Sequence, residues 1–245
     1  MKYLIVGSGH YMMEWWMKNK FYFNSHKDEW MIFVINNAWW LLLSQEKYTG
    51  NWVWALPNDF YARGTLLPSD EQILSIPNVM IYSGKEKKPD VKILRRDCKL
   101  DNGKVNWFDF KCSDKAGDTG DAGYIDKEGK SGTMFLNVAW DLLYQCDKNK
   151  DSIYIIGNDM IYNKGTGPGN IPMNHYYTPI QKDLNRIRKK ADQQPSKASD
   201  DPLRYGEKWI ENELQHLYDT AYKRDIRIYN LSTYQTRLPF DKVAL

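Results

Sequence analysis

The sequence predicts an α/β fold built on a mostly parallel sheet flanked by helices, and three observations lead there. Lys2 to Val6 is a largely apolar run closed by Gly7-Ser8-Gly9, and Trp30 to Ile35 is a second apolar run closed by Asn36-Asn37. Between them, His10 to Asn19 carries Met12, Met13, Trp16 and Met17 at helical spacing. Continuous apolar strands joined through a helix are the pattern of parallel strands buried on both faces. A β-α-β opening of this kind belongs to Rossmann-like sheets.

The remaining elements follow in order. Ala38 to Leu43 has the spacing of the next helix or its first turns, and Trp52 to Leu56 reads as a third strand stopped by Pro57-Asn58-Asp59. Asn78 to Tyr82 and Val91 to Leu94 are shorter strand candidates. From residue 97 to 130 the composition shifts: Asp101-Asn102-Gly103-Lys104 is a hairpin-turn signal, and Asp114 to Gly129 is rich in Asp and Gly. This segment is expected to be an insertion, at the sheet edge or over the site. Thr133 to Tyr144 is apolar at helical spacing, and Ile153 to Ile156 is a strand closed by Gly157-Asn158-Asp159. Residues 163 to 206 begin rich in Gly and Pro and continue as a charged stretch, a lid or a solvated linker. Glu207 to Tyr222 has the apolar stripe of an amphipathic helix, and Asp225 to Asn230 supplies a final strand. The expectation is one α/β domain over residues 1–245.

Composition narrows the function classes. With 34 basic and 31 acidic residues the net charge is +3, so any nucleic-acid-binding surface must be local. The three cysteines, Cys98, Cys112 and Cys146, form neither a metal-ligand rhythm nor a disulfide framework, which fits a reducing, cytosolic compartment without bound zinc. No apolar stretch reaches the length of a membrane span, and no membrane partner is expected. The 10 tryptophans and 17 tyrosines are either core or stacking platforms for a base or sugar ring.

In open α/β sheets ligands gather beyond the carboxyl ends of the strands. That rule collects Gly7, Ser8, Gly9 and His10, then Asn36 and Asn37, Asn58 with Asp59, Asn158 with Asp159, and Asn230-Leu231-Ser232 into one candidate constellation. Small residues let a phosphate approach the backbone, and a helix amino terminus favours negative charge. Ser131-Gly132-Thr133 opens a helix and suits an anion, or is a plain helix cap. The dinucleotide fingerprint is incomplete, because Met12 stands at the third glycine and an Asn ends the second strand, which disfavours NAD. There is no Walker A sequence. No D-x-D follows a predicted strand, so phosphate neutralisation by protein groups is expected, with no metal or other cofactor.

His175, in the Gly/Pro-rich segment, and Asp159 are the candidate general bases toward an acceptor hydroxyl. The alternative for His175 is a hydrogen-bonded loop histidine. Arg186, Arg188, Lys189 and Lys190, with Arg204 further on, are candidates for holding an acceptor such as a DNA backbone, or form a solvated helix face.

Leu4 to Gly9, Phe33 to Asn37, Ser131-Gly132-Thr133, Ile153 to Tyr162 and Ile226 to Phe240 together resemble the small, metal-independent, Rossmann-like bacterial sialyltransferases and related phage-encoded glycosyltransferases and pterin pyrophosphokinase-like proteins. The matches cover about a third of the chain. The resemblance implies donor phosphate and ribose near Ser8, Gly9 and Asn36, the nucleotide or sugar near Ser131 to Thr133, and a tyrosine after the Gly-x-Asp turn, here Tyr162, one place later than the pattern. Where that family carries its catalytic histidine this chain has Asp200 to Lys208 without one, and His175 is the nearest substitute. The Tyr-, Trp-, Asn- and Lys-rich composition is similar to tailed-phage proteins, which implies the host cytoplasm and a hydroxymethylated base in phage DNA as one acceptor, a glycan being the other. The function expected is a nucleotide-sugar-dependent glycosyltransferase. The alternatives are a pyrophosphokinase-like enzyme using ATP and Mg²⁺, and a non-catalytic nucleotide- or nucleic-acid-binding module.

Overall fold

A computed structural model describes residues 1–43, 48–57, 71–72, 75–83, 105–109, 134–158 and 207–245. The described strands are β1 (Lys2–Val6), β2 (Trp30–Ile35), β3 (Asn51–Pro57), β4 (Asn78–Ser83), β5 (Val105–Asp109), β6 (Ser152–Ile156), β7 (Arg227–Asn230) and β8 (Asp241–Lys242). The helices are α1 (Met12–Ser25), α2 (Trp39–Leu43), α3 (Met134–Gln145) and α4 (Glu207–Lys223), with a 3-10 turn at Asn36–Ala38 leading into α2. All eight strands join one sheet in the order β5-β4-β3-β2-β1-β6-β7-β8. Every described pairing is parallel.

The alternation of side chains along the strands divides the interior in two. Leu4, Val6, Ile32, Val34, Trp54 and Ile156 face α1 and α2, in a core containing Met12, Trp16, Phe23 and Trp39. Ile5, Phe33, Ile35, Val53, Ile153 and Ile155 face α3 and α4, with Phe135, Val138, Leu142, Leu214 and Leu217. Leu4, Ile5 and Val6 are fully buried, as a central strand covered on both faces requires. Each such side chain contributes about 1.5–3 kcal/mol through burial.

The tryptophans chiefly build the α1 core. Trp16 stacks on Phe23 at 5.6 Å, and Phe23 meets Trp30 edge-on at 5.0 Å. Trp16, Trp30, Trp39, Trp52 and Trp54 are all essentially buried, so these five are packing residues and not surface platforms. Helix α1 extends six residues beyond Asn19, because Phe23 continues the buried stripe of Met12, Trp16 and Lys20.

The segment expected to be an insertion contributes a strand. Val105–Asp109 pairs in parallel with β4 at the sheet edge, where an alternating hairpin would have paired antiparallel. The hairpin turn at 101–104 and the strand candidate at 91–94 lie outside the described residues, as does the segment 163–206. Strand β8 had no sequence signal, being only two residues long.

Candidate functional site at the ends of β1 and β6

Strands β1 to β5 step outward in one direction, whereas β6 to β8 step outward in the other. The helices that follow β1 and β6, α1 and α4, cover opposite faces of the sheet, and open parallel sheets take their ligands between such strands. Two glycine turns meet there. Gly7 N donates to Ile156 O at 2.8 Å, and Gly9 N donates to Gly157 O at 3.0 Å. A Cβ on Gly7 would collide with Gly157 O and the Asn158 side chain. At Gly157, φ is +72°, and a Cβ would lie 2.7 Å from Met12 Cγ and Sδ. Glycine at these two positions is what lets the two turns close on each other.

This packing uses the main-chain donors of Gly7, Gly9 and Gly157 within the protein. At the start of α1 the N-cap residue Tyr11 makes no side-chain cap, and Met12 N donates to Gly9 O at 3.0 Å. The one acidic residue of the first turn, Glu14, is turned to Lys18 at 2.6 Å, which holds the Glu14 carboxyl below its ordinary value. The Asn158 amide donates to Ile156 O at 3.2 Å and so stands over Gly7.

Tyr11, a residue the sequence reading did not single out, ties three elements together. Its hydroxyl lies 2.9 Å from Ser232 Oγ and accepts from Gly157 N at 3.3 Å. Ser232 N in turn donates to Asn230 Oδ1 at 2.9 Å, and Ser232 Oγ accepts from Tyr234 N at 3.2 Å. Tyr234 stacks on Tyr11 at 4.4 Å, and the exposed His10 ring meets both, each at 5.4 Å. The signal for Tyr11 was its place after the glycine turn, where an aromatic with a hydroxyl can span two strand ends.

On the other side of β1, Asn36 closes β2 in the left-handed region at φ 51°, which asparagine tolerates better than most residues. Its main-chain oxygen accepts from Trp54 Nε1 at 2.7 Å, so the β2 turn is pinned to β3. Asn37 is buried beside it.

The structure thus brings Gly7, Ser8, Gly9, His10, Asn158 and Ser232 to one edge, with Asn36 and Asn37 on the adjacent strand end, because β2, β1, β6 and β7 are consecutive in the sheet. Asn58, Asp59, Ser131, Gly132, Thr133, Asp159, Tyr162, His175, Arg186, Arg188, Lys189, Lys190 and Arg204 lie outside the described residues. His216, which carried no site signal, packs on Trp140 at 5.3 Å between α4 and α3.

Among the described residues no group of three or more His, Cys, Asp or Glu could hold a metal ion. No described helix is long and apolar enough to cross a membrane. Comparisons with protein-family models, with curated proteins and with solved structures gave no match.

Proposed function

We propose that the chain is a nucleotide-sugar-dependent glycosyltransferase on a Rossmann-like scaffold, with the donor phosphate at the β1/β6 crevice. The observation that carries this reading is the reversal of strand order between β1 and β6, at the point where the two glycine turns and the start of α1 meet. The strand-end resemblance to metal-independent sialyltransferases supplies the reaction class. An acceptor oxygen attacks the anomeric carbon as that carbon's bond to the donor phosphate breaks. The acceptor proton passes to a base, for which His175 and Asp159 are the candidates, and the electron pair leaves on the nucleotide. Glycans and hydroxymethylated DNA bases are the acceptor classes, with Arg186, Arg188, Lys189, Lys190 and Arg204 available to a polyanion.

The test is a thermal-shift screen with CMP-, UDP- and GDP-sugars and ATP, each with Mg²⁺ and with chelator, since a ligand bound only by the native state raises its melting point. The expected result is stabilisation by one nucleotide sugar in chelator, with slow release of its nucleotide. Stabilisation by ATP and Mg²⁺ alone would favour the pyrophosphokinase-like reading. No response to any of them would contradict both.

A further inference from the structure

Strand β7 ends at Asn230, and the chain that leaves the carboxyl edge there is tied to the start of α1 by the Tyr11–Ser232 hydroxyl pair. Two residues further on, Tyr234 is fixed at both of its main-chain polar groups. Its N donates to Ser232 Oγ at 3.2 Å, and its O accepts from Lys242 Nζ at 2.7 Å. Its ring lies on the ring of buried Tyr11, with centroids 4.4 Å and planes 26° apart. Tyr234 is nonetheless 44% exposed.

His10 covers the edge of this stack and not its outer face. Its ring centroid is 5.4 Å from each tyrosine ring, at interplanar angles of 86° to Tyr11 and 68° to Tyr234. A ring lying over the outer face of Tyr234 would be much farther from Tyr11 than from Tyr234, so equal distances put His10 beside the pair. Among the described residues Tyr234 has no further ring neighbour. One face of Tyr234 is therefore packed on Tyr11, and the exposed part of the residue includes the other. An aromatic face backed by a second ring and held by its own main chain is a stacking surface made before any ligand arrives, which lowers the cost of binding.

We infer that the outer face of Tyr234 stacks on the base of the bound nucleotide, extending the Tyr11–Tyr234 pair by a third ring with His10 at its edge. A base suits this surface because it is flat on both sides and stacks without a matched set of hydrogen-bond partners. Phosphate and base are then served by adjoining parts of one unit, since Tyr11 both precedes α1 and underlies Tyr234. The inference rests on the nucleotide reading above.

The test is calorimetric titration of the full chain with CMP, UMP, GMP and AMP, and with ribose 5-phosphate as the probe lacking a base. Wild type, Tyr234→Phe and Tyr234→Leu are compared, with Tyr234→Met used if the leucine protein does not fold. The expected result is that at least one nucleotide binds wild type about tenfold or more tightly than ribose 5-phosphate, the worth of one base stacked on an aromatic ring. Tyr234→Phe keeps that preference because it keeps the ring face. Tyr234→Leu loses it and keeps its affinity for ribose 5-phosphate. A preference unchanged in the leucine protein, a preference lost in the phenylalanine protein as well, or equal binding of nucleotide and ribose 5-phosphate by wild type overturns the stacking role and leaves the phosphate site standing. No binding of any probe to wild type overturns the nucleotide reading itself, and the stacking role with it.

Discussion

The hydroxyls of Tyr11 and Ser232 lie 2.9 Å apart and buried, joining the residue just before α1 to the segment that follows β7, 221 positions further along the chain. Through this pair and the bond from Gly157 N, the ends of β1, β6 and β7 are held as one unit.

Tyr11→Phe should cost about 1–3 kcal/mol, because it leaves a buried serine hydroxyl and a buried amide without their partner. Ser232→Ala should cost a similar amount, and the double variant less than the sum, since both remove one interaction. Urea denaturation of the four proteins measures this; strict additivity would mean that the hydroxyl pair contributes nothing.

The three crevice glycines should rank differently. A Cβ on Gly9 meets its nearest neighbour at 3.2 Å, so Gly9→Ala should be mild, at about 1 kcal/mol or less. Gly157→Ala combines a positive φ with a close approach to Met12, and Gly7→Ala strikes backbone. Each of those two should lose roughly 2 kcal/mol or more. Thermal melts read the ranking directly, and a Gly157→Ala protein as stable as wild type would contradict the close-packed turns.

Tyr48 is fully enclosed, its hydroxyl has no partner among the described residues, and burial together with the nearby Asp28 pushes its phenol up to about 12. Tyr48→Phe should therefore leave stability unchanged or raise it by up to about 1 kcal/mol. A clear loss in a denaturation curve would point to a partner for that oxygen.

Cys146 is buried, and this burial, aided by the Asp151 carboxylate, pushes its thiol up to about 12. An unfolded chain ionises near ~8.5, so the folded state holds this proton while the unfolded state releases it. The contribution to stability is whole below ~8.5 and declines as pH rises toward about 12. At pH 8, iodoacetamide should label Cys146 far more slowly in native than in denatured protein, read by peptide mass spectrometry. Equal rates would place the thiol in solvent.

Much of the sheet was legible in the sequence because its central strands are continuous apolar runs, each stopped by Gly or Asn. Tyr3 to Val6, Trp30 to Ile35 and Ile153 to Ile156 lack the alternation of a half-exposed strand, and the structure buries them on both sides. The edges were less legible: β5 stands in a segment that reads as a hairpin insertion, although it pairs in parallel with β4, and β8 is too short to have a period. At the site, the glycine turns announced themselves by residue type, but their purpose did not. That Gly7 and Gly157 serve each other depends on β1 and β6 being neighbours although 145 residues separate Val6 from Ser152. Tyr11 escaped notice for the same reason, since its partners Gly157 and Ser232 are distant in sequence.

The most direct measurement is amide hydrogen exchange by mass spectrometry on the full chain, with and without the nucleotide sugar that gives the largest thermal shift. A donor phosphate at the β1/β6 crevice should slow exchange in peptides spanning residues 7–13 and 156–158 and leave the lower halves of α1 and α4 unchanged. Protection confined to other segments, with those two peptides exchanging as in the free protein, would contradict the placement of the ligand and the function built on it.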